Sequence, residues 1–200
     1  WGDFAFATSG TGAAWDVAAA TATQAGGWQL SSGTTTTGAC TIYFSKNLLN
    51  PATFGSAHLI VSFYFRIPTL SDGTQTFTTS IGLVPSPSSV VLDVNNSVVV
   101  KYSSGLNSGK FLAVSRDNAG AETTADTGIA PSADTGYVIT VCIDKVMSEA
   151  RYYIDGVFVA RITANLPNAV ATGQRAVIVK SAGTTSRTLV VASLMFNSIF

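Results

Sequence analysis

Apolar residues recur at every second position between His58 and Ile67. Leu59, Val61, Phe63, Phe65 and Ile67 fall on one face of an extended chain, and His58, Ile60, Ser62, Tyr64 and Arg66 fall on the other. A period of two predicts a strand with one face in a core and the other toward solvent or a partner. Pro68 ends it, because proline supplies no ladder N–H. The same reading places Phe77, Thr79, Ile81 and Leu83 on one face of a strand over 76–84. Val90–Val94 and Val98–Tyr102 flank Asn95-Asn96, a pair that tolerates turn backbone, and are predicted to form a hairpin. Further strands are predicted over 110–115, 137–144, 151–154, 157–162, 176–180 and 188–196. Asp155-Gly156, between two of them, is the strongest hairpin signal in the chain. Clusters of Gly, Ser, Thr, Pro and Asn separate these runs. Strands spaced by about 8–12 residues with turns between them predict an all-β sandwich or barrel. Only Ala13–Ala25 has helix-favouring alanine content, but Thr21, Thr23 and a weak apolar period oppose a helix, so it is read as irregular.

Composition narrows the class. Hydrophobic residues make up 46% of the 200 residues, which opposes disorder. Charged residues make up only 11%, with 11 basic against 11 acidic side chains. No basic cluster is present to neutralise phosphates, so no nucleic-acid partner is expected. No apolar run reaches the roughly 18–20 residues that span a bilayer, so no membrane segment is expected. The chain starts at Trp1, the expectation being a processed or partial product. Cys40 and Cys142 lie in separate predicted strands and read as buried thiols, with a single bridge left open.

The pattern from Tyr137 onward carries a family resemblance. Tyr137-Val138-Ile139-Thr140-Val141 leads to Arg151-Tyr152-Tyr153-Ile154-Asp155-Gly156, then Val157-Phe158-Val159-Ala160, Asn165-Leu166-Pro167 and Val177-Ile178-Val179-Lys180. This resembles the concanavalin A-like lectin/glucanase jelly roll, the group that includes laminin-G-like domains. Leu30-Ser31-Ser32-Gly33, Thr37-Gly38-Ala39 and Phe63-Tyr64-Phe65-Arg66-Ile67-Pro68 are similar to the opening strands of such domains in tailed-bacteriophage structural proteins. The resemblance covers residues 27–200. It implies one antiparallel two-sheet jelly-roll sandwich over 1–200, with 1–26 as a less certain N-terminal segment.

Candidate chemistry is sparse. The glucanase branch of that resemblance uses a strand bearing Glu-x-Asp-x-Glu, because retaining hydrolysis needs two carboxyls about 5–5.5 Å apart. No such run exists here. Glu122 and Glu149 read as solvated loop acids. Asp-Thr-Gly occurs at Asp126 and again at Asp134, but an aspartic dyad draws its two copies from separate lobes or subunits. Eight residues apart, both read as turns at the ends of a loop. His58 is the sole histidine and reads as a strand residue. Asp93, Asn95 and Asn96 could ligate Ca²⁺, yet between valine-rich runs they read first as a turn. No catalytic, metal or cofactor site is therefore expected. The side chains that could meet a glycan or a partner are Trp28, His58, Tyr64, Arg66 and Tyr152.

The resemblance and the low charge together imply a non-enzymatic structural protein of a bacteriophage virion. It would be a surface module decorating the head or forming part of a tail fibre or spike. Its expected partners are other virion proteins and copies of itself, with a trimer as the form suggested by virion geometry. The alternatives are a lectin-like host-recognition module that binds a surface glycan and, third, a polysaccharide hydrolase or lyase.

Overall fold

The computed structural model describes residues 4–20, 25–44, 58–85, 88–144, 148–167 and 172–199, with side chains described except at Phe44, His58 and 194–199. Among the described residues fourteen strands form two antiparallel sheets of seven. The chain enters through β1 (Phe4–Ser9), β2 (Ala13–Ala18), β3 (Gly27–Ser32) and β4 (Ala39–Phe44). The long β5 (His58–Arg66), β6 (Phe77–Val84) and β7 (Ser97–Tyr102) follow, then β8 (Leu112–Arg116) and β9 (Glu122–Asp126). β10 (Gly136–Asp144), β11 (Glu149–Ile154), β12 (Val157–Ile162), β13 (Gly173–Lys180) and β14 (Thr188–Ile199) complete it. The front sheet runs β1-β4-β13-β6-β7-β8-β9, and the back sheet runs β12-β11-β10-β5-β14-β3-β2. Consecutive strands either pair directly, as β6 to β9 and β10 to β12 do, or cross to the other sheet, as β3/β4, β4/β5, β5/β6, β9/β10, β12/β13 and β13/β14 do, the crossovers of a jelly roll.

The predicted inner face of β5 is the floor of the core: Leu59, Val61, Phe63, Phe65 and Ile67 are all buried. Phe111 packs edge-on to Phe65, Tyr102 and Tyr137 at 5.9, 6.0 and 5.4 Å between ring centres. Rings from both sheets and a loop thus interlock, which adds roughly 0.5–1.5 kcal/mol per pair to the area they bury. Asp155 and Gly156 have φ of 51° and 77°, the two positive angles of the expected hairpin turn.

Three expectations fail. Ala13–Ala25 begins as strand β2, and residues 4–18 belong to the sandwich: β1 edges the front sheet and β2 the back sheet. Trp15 stacks on Phe6 at 4.2 Å and meets Trp28 edge-on at 5.7 Å, so aromatic packing overrides the alanine propensity. Residues 21–24 of that stretch lie outside the described residues. Val90–Val94 forms no strand. Two of its carbonyls, those of Val91 and Leu92, accept from an arginine of β13 in place of a ladder partner. Glu122 and Glu149 open strands instead of lying in loops, and Glu149 is buried, paired with Arg151 and, at 3.4 Å, with Arg161.

Candidate functional site

Residues 88–96 cross the outer face of the front sheet as a strap. Beneath it Val84, Val99 and Val114 are buried, with Val94 and Leu112 packed beside them. Apolar burial alone would leave the strap's carbonyls without partners. Arg175, fully buried on β13, supplies them: its Nη1 donates to Ser89 O at 3.0 Å and Val91 O at 2.8 Å, and its Nη2 to Leu92 O at 3.4 Å. Burial lowers the Arg175 pKa to about 10, and the nearby Asp93 charge partly offsets this. The guanidinium stays charged at neutral pH.

A second tie is ionic. Lys101, projecting outward from β7, donates from Nζ to Asp93 Oδ1 at 2.5 Å and to Glu122 Oε2 at 3.5 Å. Arg116 on β8 reaches the same two acids, Glu122 at 2.5 Å and Asp93 at 3.4 Å. Partial burial pushes the Asp93 carboxyl up. The hydrogen bond from Lys101 and the charges of Lys101, Arg116 and Arg175 outweigh it and leave the pKa lowered. A general acid for glycoside cleavage needs the opposite shift.

Asp93 stands between two clefts. One, of about 300 Å³, is lined by Thr78, Leu92, Asp93, Lys101, Ser103, Gly105 and Leu106. The other, of about 560 Å³, runs along Ser89, Val91 and Asp93 to Asn95, Asn96 and Asn118. Asn96 has the turn backbone read from the sequence, with φ 55°, but it answers the neighbouring turn, not a hairpin partner. Its Nδ2 donates to Asn118 Oδ1 at 2.8 Å, and Asn95 Nδ2 donates to Asn118 O at 3.1 Å. Asp93 thus faces the cations of Lys101 and Arg116, and the Asn95 and Asn96 amides face Asn118. Among the described residues no three His, Cys, Asp or Glu side chains cluster. The surface offers hydroxyls, amides and fixed charges beside apolar Leu92, Leu106, Pro85 and Val94 in two shallow clefts, a mixed lining that can meet both the hydroxyls and the apolar faces of a sugar.

The residues singled out from sequence do not form one site. Tyr64 and Arg66 sit half-buried on the outer face of the back sheet. The Tyr64 ring lies over Gly136, where a Cβ would collide with its hydroxyl. Arg66 pairs with Asp134. Trp28 is part of the Phe6–Trp15 cluster at the β1/β2 side. Tyr152 is a correction: it is fully buried, because its register opposite Val141 turns it into the core. The His58 side chain lies outside the described residues. The two Asp-Thr-Gly copies part company. Asp126 Oδ1 accepts from Gly128 N and Asn107 Nδ2, both at 2.8 Å, on the front sheet, while Asp134 meets Arg66 of the back sheet. Sequence reasoning passed over Lys101, Arg116 and Arg175. The available signal was the lone charge of Lys101 within the valine-rich Ser97–Tyr102 strand, which has to be paired if it is buried.

Solved structures share this sandwich at low identity. The alginate lyase AlyC3 in complex with dimannuronate is 11% identical, over 86% of this chain and 74% of that one, with a TM-score of 0.60. The Emp47p carbohydrate recognition domain is 10% identical, over 96% and 87%, with a TM-score of 0.61. An endo-β-1,4-glucuronan lyase from the fungus Trichoderma reesei is 9% identical, over 92% and 87%, also at 0.61. These likenesses establish the concanavalin A-like jelly-roll fold. No curated protein sequence matches the chain. The family model described as "SO2946-like, C-terminal domain" matches residues 23–191.

Proposed function

The chain belongs to the SO2946-like, C-terminal domain family, and from that premise we propose that it is a non-enzymatic, lectin-like domain that binds carbohydrate on the outer face of its front sheet. One observation carries the reading: two clefts of mixed polar and apolar lining share an Asp93 held ionised by Lys101 and Arg116. Such a face can accept and donate hydrogen bonds to sugar hydroxyls, while its acid at the centre is biased away from proton donation. Two of the similar structures, an alginate lyase in complex with dimannuronate and the Emp47p carbohydrate recognition domain, support the carbohydrate-binding part of this reading.

The test is a panel of neutral and acidic oligosaccharides, followed by calorimetry with Gly105→Trp. Gly105 lines the smaller cleft and nothing lies within 4 Å of a Cβ there, so an indole adds bulk at the cleft without a clash at its attachment point. Binding by the unaltered chain, weakened at least about tenfold by the indole, is the expected result. Absence of binding across the panel, or binding that the indole leaves unchanged, would sink the proposal.

A second reading keeps the structural role in a bacteriophage virion, with the domain on the particle surface. The low charge and the apolar residues exposed on both lateral edges of the sandwich favour it. Particle integrity after deletion of the domain separates it from the first: loss of particles indicates a structural role, and intact particles with impaired attachment indicate recognition.

A further inference from the structure

Exposed large apolar side chains are unevenly placed. Among the described residues they are Phe4, Trp15, Val17, Val91, Val157 and Phe158, and all but Val91 lie on strands at the lateral edges of the sandwich. Four of them sit on the two strands that end the back sheet. β2 carries Trp15 (48% exposed) and Val17 (64%), and β12 carries Val157 (64%) and Phe158 (54%). Edge strands present unpaired backbone groups, and proteins that remain monomeric protect them with charge, proline or bulges. Here each end strand carries one charge, Asp16 on β2 and Arg161 on β12, and the β11–β12 pairing has a bulge at Tyr152/Tyr153, yet both ends also expose large apolar side chains.

The two edges are also complementary. Asp16 lies between Trp15 and Val17 on exposed β2. Arg161 lies on β12, its Nε meeting Glu149 at 3.4 Å and its side chain 59% exposed. A β2–β2 contact would bring two Asp16 carboxylates together, whereas β2 against β12 sets acid opposite base. Each edge holds its aromatic ring in place beforehand. Trp15 stacks on Phe6 at 4.2 Å with 11° between planes, and Phe158 packs edge-on to Tyr153 at 5.7 Å. Rings already fixed lose little entropy on docking.

We propose that a second copy of this chain docks edge to edge, β2 of one against β12 of the next, extending the back sheet from molecule to molecule. Because the two patches differ, the contact is head-to-tail. It closes into a ring or continues as a filament, according to the rotation between copies. This inference does not depend on the carbohydrate reading, since neither edge takes part in the front-sheet clefts.

The experiment is light scattering coupled to size exclusion, on the unaltered chain and on Val17→Lys and Phe158→Lys. The unaltered chain should run at a multiple of the protomer mass, and each variant alone as a monomer. An equal mixture of the two should form a dimer and nothing larger, because each variant retains the edge the other has lost. Asp16→Lys, a milder change at an exposed site, should weaken assembly about tenfold and serves if either lysine variant fails to fold. Matching circular dichroism and unfolding midpoints establish that the variants are folded. A monomeric unaltered chain overturns the proposal. So does dissociation by only one of the two lysine changes, which marks a self-paired edge, or a mixture that stays monomeric.

Discussion

Tyr152 Oη donates to the backbone carbonyl of Val114 at 2.8 Å, joining β11 of the back sheet to β8 of the front sheet through the core. Burial pushes the phenol well above its usual pKa, so it remains a neutral donor across the accessible range. Tyr152→Phe keeps the ring and removes the donor. The expected loss is about 1 kcal/mol, since both partners are shielded from water. Tyr152→Ala also opens a cavity and should cost about 3–5 kcal/mol. Urea unfolding followed by tryptophan fluorescence measures both. Equal losses for the two variants would show that the hydroxyl, not the ring, dominates.

Arg175 should control the strap more than the sandwich. Arg175→Met fills much of the same volume but leaves the carbonyls of Ser89, Val91 and Leu92 without their donor. The unpaired carbonyls should release the strap at a cost of about 1–3 kcal/mol. Hydrogen exchange should speed up over 88–96 and remain slow in β5 and β10. Uniform acceleration across both sheets would mean that Arg175 supports the whole fold.

Much of this architecture is legible in the sequence, for a definable reason. The inner face of β5 is readable because five apolar residues alternate without a break. The Asp155-Gly156 turn is readable because its backbone demands residues that tolerate positive φ. The failures share another cause. Tyr152 and Tyr153 are adjacent, and only the register with β10 decides which one enters the core. Val90–Val94 spells a strand, but Arg175, more than eighty positions along the chain, binds the carbonyls of Val91 and Leu92 in place of a ladder partner. The candidate site is built from Asp93, Lys101, Arg116 and Arg175, which lie on different elements. Their convergence is tertiary and carries no local pattern.

Acid should weaken the fold through three aspartates. The Gly128 N–H, then Asn107 and Lys110, lower the Asp126 pKa from 3.8 to about 2. The N–H groups of Gln75 and Thr74 lower Asp72, and Asp93 is lowered by its cations against the effect of burial. Each carboxyl binds its proton less readily folded than unfolded. Stability is therefore complete above the unfolded value of 3.8 and is lost as the pH falls through the folded values, about 2 for Asp126. Unfolding midpoints measured across that interval should fall with pH, and Asp126→Asn should flatten part of the slope. Midpoints that do not change below 3.8 would count against these pairings.

The two thiols should remain separate and unreactive. Cys40 is buried beneath β4 in the core, and burial raises its pKa to about 11. Cys142 sits half-buried on the back sheet with its own pKa raised by burial, and its register partners are Ile60 and Arg151. Alternation along β10 puts Val141 and Ile143 in the core and therefore turns Cys142 outward. The two sulfurs point in directions that no rotamer can reconcile, and both cysteines are free. A reductant should leave the melting temperature unchanged. A thiol reagent should modify Cys142 slowly, and Cys40 only once the chain unfolds, because the thiolate is the reactive form. Rapid modification of Cys40 in the folded protein would mean that the front sheet opens at β4.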